Sequence, residues 1–510
     1  KLEVDKYVQM MVINRCVDPL SKLGVTRWIK RTCYKEMAGY RDLDFDVTYF
    51  YRSMDHLLTV KDDLEFAIFE KLKDLFSVNV KLTFYDITSS YFYTDNCEIG
   101  KNGYSRDNRP DREQIVIGVV TSFEGYPIKH YVFEGNRKDE TTVKQVVGQL
   151  KSEYNIEDTT FVGDRGMITK LNLARLEGEG FDYIMGVKHR QDEICSMLLS
   201  EQVDEEDHQL YKGLKIRERT VTVKEFLIWK CQKIIREQKP DLADERFSLL
   251  QKEILSLNNK SKPESRDYKR IVESIIKGID TPAYNKIFRG IKKYQGRYED
   301  ELRYIICLNE ERKFGSQNKR QISISKLSEE LDKVFAQNTR YKEERDIDKA
   351  INKIFEGYKV KFKKFFTIAR DVKSKKAIGY SLNQAKIEQE KKFDGIFVLL
   401  SSRYDLKPSE VVESYKNLKE VEMLFDDLKN FVDIRPIRHW LQVRVRAHVF
   451  ICVLALLLKR IFEIHYMKSK STMEPLEEIS KSKLIKYKVK FSKRENRSQT
   501  FPKVTNTTPM

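Results

Sequence analysis

The sequence has few cysteines and histidines, and they are not arranged for chemistry. The seven cysteines form no C-x-x-C pair, and none lies with histidines at the spacing of a zinc site. This distribution argues against both a zinc site and a disulfide framework, and it indicates a reducing compartment. The seven histidines are scattered and offer no base for a serine or cysteine nucleophile.

Long hydrophobic runs are also missing from the sequence. The longest apolar run, Val449 to Leu458, is too short to cross a bilayer and predicts a buried helix. No secretory signal opens the chain, and the first residue is Lys1 rather than methionine, so we expect further residues upstream. These features predict a cytoplasmic protein without a membrane partner.

Positive charge, in contrast, is in excess. The chain has 95 lysines and arginines against 78 aspartates and glutamates, which gives a formal net charge of +17. Such an excess points to a polyanionic partner, and nucleic acid is the commonest one. At 510 residues the chain is long enough for about two to four domains with sizeable cores.

The hydrophobic period changes near residue 78. Residues 1–77 predict a helical region, because apolar residues recur every three or four positions in stretches such as DLEFAIFEKLKDLF. From Val78 the stretch VKLTFYDIT is rich in β-branched and aromatic residues and predicts a strand that ends at Asp86. The chain therefore passes from a helical layer into a sheet.

Residues 78–188 predict the first part of an α/β domain. The runs QIVIGVVTS and YPIKHYVFEG predict two strands joined by a turn, and TTFVGD and FDYIMGV predict two more that alternate with helices. Three strands followed by alternating helix and strand predict a mixed five-stranded sheet flanked by helices. Asp86 and Asp164 each end a predicted strand, so their carboxylates meet if those strands are neighbours.

Residues 189–402 interrupt this pattern and predict a β-rich insertion domain with charged helices. Its predicted strands are LKIRERTVTVKEFLIW, LRYIICL, FKKFFTIA, AIGYSL and FDGIFVLLS, and its predicted surface helices are ISKLSEELDKVF and IDKAINKIFEGY. Trp229 lies in the first of these runs, where either core packing or stacking on a DNA base fits.

The C-terminal part predicts helices followed by a basic tail. Residues 403–466 predict the last helices of the α/β domain, including one that starts near His439 and carries Arg444 and Arg446 close to the helix of Glu422. Residues 467–510 form the tail, in which KSKLIKYKVKFSKR fits either an edge strand or a basic strip on a phosphate backbone. The final stretch, SQTFPKVTNTTPM, predicts disorder.

The stretch YKNLKEVEMLFDDLK carries an unusual carboxylate. Read as one helix, its common face holds Tyr415, Leu418, Glu422, Phe425 and Lys429. Glu422 therefore lies in an apolar stripe, whereas Glu420 and Asp427 fall on the opposite side. A buried carboxylate needs a compensating cation or metal ion. Taken alone, Glu422 fits an ion pair at the edge of the core, but the two upstream aspartates favour a shared site.

Four motifs in the same order resemble those of bacterial insertion-sequence transposases of the DDE type. YDITSSYF resembles the first-acid motif with Asp86, and VGDRGMIT resembles the second with Asp164. YKNLKEVEMLFDDLK resembles the third-acid signature Y-x2-R-x3-E-x6-K, with Tyr415, Glu422 and Lys429 in register. GYSRDNRPDREQIVIGV and GYPIKHYVFEGNRKDETTV resemble the stretch after the first acid in one subgroup of that family.

This resemblance implies an RNase H-like catalytic domain, of the retroviral integrase type, and a metal-dependent reaction. Asp86, Asp164 and Glu422 would be catalytic and would bind two Mg²⁺ ions, which Mn²⁺ could replace, because hard cations prefer oxygen ligands. Two such ions about 4 Å apart can activate water and stabilise the leaving oxygen. The resemblance further implies cleavage at element ends, a hairpin intermediate, attack of the 3′-OH on target DNA, a homodimer and a nucleoid-associated location in the bacterial cytoplasm.

Several side chains near the acids are candidate DNA contacts. The resemblance implies that Tyr415 and Lys429 contact the DNA end, although core packing fits Tyr415 nearly as well. Leu418 stands where the signature has arginine, which removes one phosphate contact. Four arginines close to the acids in sequence could clamp phosphates: Arg109, Arg112, Arg137 and Arg165. Arg165 could equally neutralise Asp164.

Three other polar residues have structural interpretations. Asn136 and Asp139 fit a turn and a cap that open the next helix at Thr141 or Thr142, and His130 at mid-strand fits packing. Two alternative functions also remain at this point. One is a stand-alone metal-dependent nuclease on the same fold, and the other is a non-catalytic DNA-binding derivative, which the presence of all three acids disfavours.

Overall fold

The chain is represented by a computed structural model. It describes residues 2–40, 43–78, 81–154, 159–167, 169–201, 208–238, 300–336, 343–466, 483–490 and 498–505, with isolated positions between 240 and 289. The chain divides into two compact units, one formed by Lys1–Met185 with Glu413–Met510 and the other by Gly186–Val412. None of the described helices combines the length and the hydropathy that a membrane-crossing segment needs.

Five helices precede the sheet of the first unit. They are α1 (Val4–Val17), α2 (Lys22–Arg31), α3 (Tyr34–Met37), α4 (Val47–Thr59) and α5 (Lys61–Phe76). Two of them begin at side-chain caps, because Ser21 accepts a hydrogen bond from the Gly24 N–H and Asp46 accepts one from the Thr48 N–H. Helix α5 packs on the third strand of the sheet.

Five strands form the sheet of the first unit. They are β1 (Leu82–Tyr91), β2 (Gln114–Thr121), β3 (Pro127–Glu134), β4 (Thr160–Gly163) and β5 (Asp182–Gly186). Their order is β3-β2-β1-β4-β5, with antiparallel pairing among the first three and parallel pairing of β1 with β4 and of β4 with β5. Helices α6 (Asp139–Tyr154) and α7 (Lys170–Gly178) make the connections. The predicted α/β class, with a mixed sheet flanked by helices, is confirmed.

The first strand is longer than the sequence predicts. Instead of ending at Asp86, β1 continues to Tyr91, because Ile87 through Tyr91 pair with β2 from Gly118 to Gln114. The parallel partner β4 ends at Gly163, so it pairs only with the first part of β1. Asp86 therefore lies where β1 loses its parallel neighbour but keeps its antiparallel one.

The second unit contains strands and helices. Its strands are β6 (Gln209–Tyr211), β7 (Leu214–Thr222), β8 (Glu301–Asn309), β9 (Phe366–Arg370), β10 (Ala377–Leu382) and β11 (Ile396–Ser401). The order β11-β8-β7-β6 is antiparallel, and β9 and β10 form a separate hairpin. The helices that the structure describes in full in this unit are α8 (Glu193–Leu198), α9 (Val223–Gln238), α10 (Glu310–Ala336), α11 (Glu344–Ile354) and α12 (Gln384–Lys391), with a 3₁₀ helix at Gly357–Phe365. More of the described residues of this unit lie in helices than in strands.

The predicted strand LKIRERTVTVKEFLIW is wrong in its second half. Strand β7 ends at Thr222, whose hydroxyl accepts a hydrogen bond from the Glu225 N–H and caps α9. The apolar residues Phe226, Leu227 and Cys231 then recur at helical spacing and are buried. Trp229 therefore lies in a helix, where its ring stacks on that of Phe226 with 6.3 Å between centroids.

The described residues from Pro408 onwards form three helices and a hairpin. They are α13 (Pro408–Lys416), α14 (Leu418–Asn430), α15 (Gln442–Tyr466), β12 (Lys483–Lys490) and β13 (Ser498–Thr505). Helix α15 packs on α1, α4 and β3. The disorder predicted after Ser498 is wrong as far as Thr505, because β13 pairs with β12 along its whole length and so satisfies its backbone groups. The rest of the predicted basic tail lies outside the described residues.

The prediction that Arg444 and Arg446 lie near the helix of Glu422 is also wrong. Arg444 donates to both carboxylate oxygens of Asp55 in α4, each at 2.9 Å. Arg446 donates to the carbonyl oxygen of Val132 in β3 at 2.8 Å. Because α15 packs its N-terminal half on these elements, basic residues of its second half contact α14 instead.

Candidate functional site

Two aspartates emerge side by side from neighbouring parallel strands. In the pairing of β1 with β4, Tyr85 lies opposite Gly163, and Asp86 and Asp164 are the next residues on the two chains. The strand adjacency on which the sequence prediction depended is therefore present. The Asp86 carboxylate accepts a hydrogen bond from the Ile87 N–H at 2.7 Å.

Glu422 belongs to α14, which packs against β1. The single helix predicted from the sequence is interrupted at Asn417, between α13 and α14. The buried face of α14 consists of Leu418, Val421, Leu424, Phe425 and Leu428. Glu422 is exposed beside this face, so the prediction that it lies within the apolar stripe is wrong.

The two acids predicted to face solvent instead face protein. Glu420 accepts a hydrogen bond from Arg460 at 2.8 Å, and Asp427 accepts one from Lys459 at 2.8 Å. Both basic residues belong to α15, which packs on α14. The ion pairs between α14 and α15 are therefore made by these two acids, while Glu422 is exposed.

The three candidate acids influence one another electrostatically. Burial raises the pKa of Asp86 to about 7, and the negative charges of Asp164 and Glu422 raise it as well. The hydrogen bond from the Ile87 N–H and the charge of Arg106 oppose this rise in pKa. A carboxyl group with a pKa near neutrality can gain from a nearby cation, because the cation relieves the repulsion that keeps the proton bound.

Tyr415 contacts the second aspartate. Its hydroxyl donates to the Asp164 carboxylate with 3.4 Å between the oxygens. Burial raises the Tyr415 pKa, the charges of Asp164 and Glu422 raise it further, and Arg165 opposes them. The structure therefore brings Tyr415 and Arg165 together with the acids.

The three acids suit a metal ion by the type of their donor atoms, but their side chains are not close enough together to bind one as they stand. Among the residues that the structure describes, no three His, Cys, Asp or Glu side chains are close enough to hold one ion together. The donor set of Asp86, Asp164 and Glu422 nevertheless consists only of carboxylate oxygens, which suit a hard divalent cation. Because Glu422 is exposed, its side chain can change rotamer without unpacking the core.

The loop after β1 brings in a residue that the sequence analysis missed. Arg106 donates to both carboxylate oxygens of Asp139 at 3.0 and 2.9 Å, and its backbone N–H donates to the Ser89 hydroxyl at 2.9 Å. Its charge also lowers the pKa of Asp86. The predicted helix start at Thr141 or Thr142 is wrong, because α6 begins at Asp139, whose carboxylate accepts these arginine hydrogen bonds. The signal was available, since Arg106 lies within the recognised segment GYSRDNRPD.

Lys429 is held by a buried carboxylate in the same loop. Its ammonium lies 2.7 Å from a carboxylate oxygen of Asp107, and that oxygen is also contacted by Arg435. The Asp107 side chain is only 1% exposed. The predicted DNA contact of Lys429 thus coincides with an ion pair inside the protein.

Two of the remaining predicted arginines, Arg109 and Arg112, contact the same carboxylate oxygen of Asp111, at 2.8 and 3.8 Å. Arg109 pairs with Asp111 at 2.8 Å and lies over the ring of Tyr91. Tyr91 is five residues from Asp86 along β1, or about 17 Å at the rise of a strand. Arg112 donates to the carbonyl oxygen of Tyr93 just beyond the strand. Arg137 is exposed and lines a cavity beside β3. Of the four, only Arg165 therefore shares the immediate surroundings of the acids.

Comparison with known proteins identifies the family. The family described as Transposase DDE domain matches residues 86–458, a span that starts at the first candidate acid and includes the other two. No match is found among curated protein sequences.

Two solved structures are similar to part of the chain. One is a piggyBac transposase synaptic complex with hairpin DNA. The match has 14% sequence identity and a TM-score of 0.27, and it covers 42% of this chain and 49% of that chain. The other is a Mos1 transposase paired-end complex with the left transposon end. That match has 10% sequence identity and a TM-score of 0.16, and it covers 55% of this chain and 81% of that chain. The match thus spans about half of the piggyBac chain. On the family match over residues 86–458, the protein belongs to the transposase DDE domain family.

Proposed function

We propose that this protein is the transposase of a bacterial insertion sequence, which cuts DNA at the element ends and joins the freed 3′-OH ends to target DNA. The observation that carries the proposal is the pairing of Asp86 and Asp164 on adjacent parallel strands. Glu422 supports it, because its charge acts on Asp86 from a helix packed against β1. Membership of the transposase family supports a DNA-recombining reaction.

We assign Asp86, Asp164 and Glu422 as the ligands of divalent cations, Mg²⁺ or Mn²⁺. When bound, such ions activate an attacking oxygen and neutralise charge on the scissile phosphate. Asp86 must lose its proton to act as a ligand, and its raised pKa makes that loss dependent on pH. Tyr415 restrains Asp164 through its hydroxyl group.

The basic residues are assigned to DNA. Lys429 and Arg435 share the carboxylate of Asp107, and a DNA phosphate can take over the same role as their anion. Arg165 is exposed beside the acids and fits a contact near the cleaved bond. Arg109, Arg112 and Arg137 fit phosphate contacts farther along the duplex. Because two element ends must be processed together, we expect a homodimer on DNA.

Cleavage and joining of DNA carrying the terminal inverted repeats test the proposal. With Mg²⁺, the wild-type protein should nick the ends and insert pre-cleaved ends into a plasmid. Asp86→Ala, Asp164→Ala and Glu422→Ala should abolish both reactions and retain DNA binding. Asp426→Ala, an exposed acid on the same helix as Glu422, is the matched control and should remain active.

The outcomes separate the candidate functions. Cleavage by Glu422→Ala at the wild-type rate would refute the assignment of the third acid. Cleavage without any joining of pre-cleaved ends would identify a stand-alone nuclease. DNA binding without cleavage under any divalent cation would identify a non-catalytic derivative.

A further inference from the structure

A cavity rich in basic side chains lies in the first unit, between α2 and the segment that joins α14 to α15. Its volume is about 370 Å³. Six of its lining residues are basic or imidazole side chains: Arg15, Lys22, Arg435, Arg438, His439 and His448. Among the described residues that line it, Asp433 is the sole carboxylate. The cavity therefore has an excess of positive charge.

Lys22 is the most unusual member of this lining. It is only 3% exposed, and its ammonium makes no hydrogen bond or ion pair with any residue in the described part of the chain. Burial lowers the pKa of Lys22 to about 7, and the charge of Arg15 lowers it further. An unpaired ammonium is costly to bury, so this side chain lacks an anion that would stabilise its charged form.

The other deeply buried lysines of the same unit do have carboxylate partners. Lys129 is 1% exposed and contacts Asp62 at 3.1 Å together with Glu153. Lys459 is likewise buried and contacts two acids of its own surroundings, Asp427 and Glu463. Burial of a lysine in this fold is therefore normally accompanied by neutralisation, and Lys22 is the exception among these three.

The neighbours of Lys22 make their own hydrogen bonds to backbone carbonyl oxygens and not to a carboxylate. Arg15 donates to the carbonyl oxygens of Val432 and Asp433 at 3.0 and 3.1 Å. His448 donates from Nε2 to the carbonyl oxygen of Ile434 at 3.3 Å. Lys22 is also the first residue of the ten-residue helix α2, whose N-terminal end adds partial positive charge.

We propose that this cavity binds phosphate, and that its ligand in the working protein is a backbone phosphate of DNA. The choice of DNA rests on the proposed function and on position. Arg435 lines the cavity and shares the Asp107 carboxylate with Lys429, so the cavity adjoins the segment that follows the helix of Glu422. Arg438 at the cavity is exposed and can be reached from solvent.

Thermal unfolding with inorganic phosphate tests the anion site without DNA. At constant ionic strength in chloride, added phosphate should raise the Tm of the wild-type protein progressively. Lys22→Met should lose this response and should have a higher Tm than wild type without phosphate. Lys30→Met, an exposed lysine on the same helix, should respond as wild type does. Arg438→Gln, which leaves the interior unchanged, should weaken the phosphate response and provides a second test.

Salt dependence of DNA binding identifies the source of the phosphate. With a mixed-sequence duplex and no divalent metal, Lys22→Met should reduce the slope of log K against log salt by about one, whereas Lys30→Met should not. A phosphate response that persists in both Lys22→Met and Arg438→Gln would overturn the site. A Lys22-dependent phosphate response with an unchanged salt slope would overturn the DNA assignment in favour of a free anion. If the wild-type protein responds to phosphate but does not bind DNA, the anion site stands and the proposed function fails.

Discussion

The acidic site and the basic cavity of the first unit are opposite in sign but similar in construction. At the acidic site Asp86 lies near two other carboxylates, and its raised pKa reflects both burial and their charge. At the basic cavity Lys22 lies near other cations, and its lowered pKa has the corresponding causes. In contrast, Lys129 is paired with carboxylates and its pKa is raised.

A buried charge without a protein partner marks a place where a ligand is needed. A fold can neutralise a buried charge with its own residues, as it does at Lys129, or it can leave the charge for a ligand to complete. The two sites also differ in exposure to solvent. Glu422 is exposed and can adjust, whereas Lys22 is enclosed by packed helices, so we expect the acidic site to gain order on binding and the basic cavity to gain charge balance.

Removal of divalent metal should have the largest effect. Chelation should lower DNA cleavage by about 10³-fold, because metal ions supply several kcal/mol of charge stabilisation in phosphoryl transfer. Either Mg²⁺ or Mn²⁺ should restore cleavage of labelled end DNA, while binding of the same DNA in a mobility-shift assay should change little. Full cleavage activity in excess chelator would remove the functional basis of the acidic site.

Substitution of the two buried lysines should give stability changes of opposite sign. Lys129→Met leaves two carboxylates without their cation and should lower the free energy of unfolding by about 2 kcal/mol. Lys22→Met removes an unpaired cation and should raise it by about 1 kcal/mol. Urea denaturation at pH 7 measures both changes. Equal destabilisation by the two substitutions would show that Lys22 has a partner in solution.

The stability of the wild-type protein should rise relative to Lys22→Met as pH increases from about 7 towards 10. The folded state of the wild type loses the Lys22 proton near pH 7, whereas the unfolded chain keeps it to about its ordinary value of 10.5. Above pH 7 the unfolded state therefore binds more protons, and the penalty for burying a charge disappears. At about 1.4 kcal/mol for each pH unit over which the two states differ by one proton, the difference should amount to about 3.5 kcal/mol across this range.

Neighbouring groups do not complicate this comparison. Burial lowers the pKa values of His439 and His448, so both imidazoles are neutral from pH 7 upwards. Burial raises the pKa of the Cys452 thiol, so it stays protonated over most of the range. The other charged or titratable side chains that line the cavity are Arg15, Tyr51, Asp433, Arg435 and Arg438. A constant gap in unfolding free energy between wild type and Lys22→Met would contradict the lowered pKa.

Substitution of Arg106 should have the smallest effect. Its charge lowers the pKa of Asp86, so Arg106→Gln should move the acidic limb of the cleavage pH profile upwards by about half a unit. Arg106→Lys should restore most of the shift. Arg109→Gln is the matched control, because that guanidinium pairs with Asp111 and lies over Tyr91, away from Asp86. An unchanged profile in Arg106→Gln would limit this arginine to a structural role with Asp139.

Local pattern in the sequence was sufficient for much of the fold. Strand and helix periodicity predicted the five strands of the first unit, and motif order predicted the transposase family, because both depend on residues close together in the chain. The secondary-structure prediction failed where the local pattern was ambiguous. The stretch VKEFLIW is apolar enough for either a strand or a helix, and the cap at Thr222 decided for a helix.

Contacts between distant segments decided the rest. The order and register of β1 and β4 bring Asp86 beside Asp164, although 77 other residues separate them in the chain. Packing of α14 on β1 and α15 turned Leu424 inward together with the predicted Phe425, and it turned Glu422 outward, against the stripe expected from a single helix. Whether a charge is paired likewise depends on which segments meet around it. Lys22 and Lys129 are equally ordinary lysines in the sequence, and only folding leaves one of them without a carboxylate.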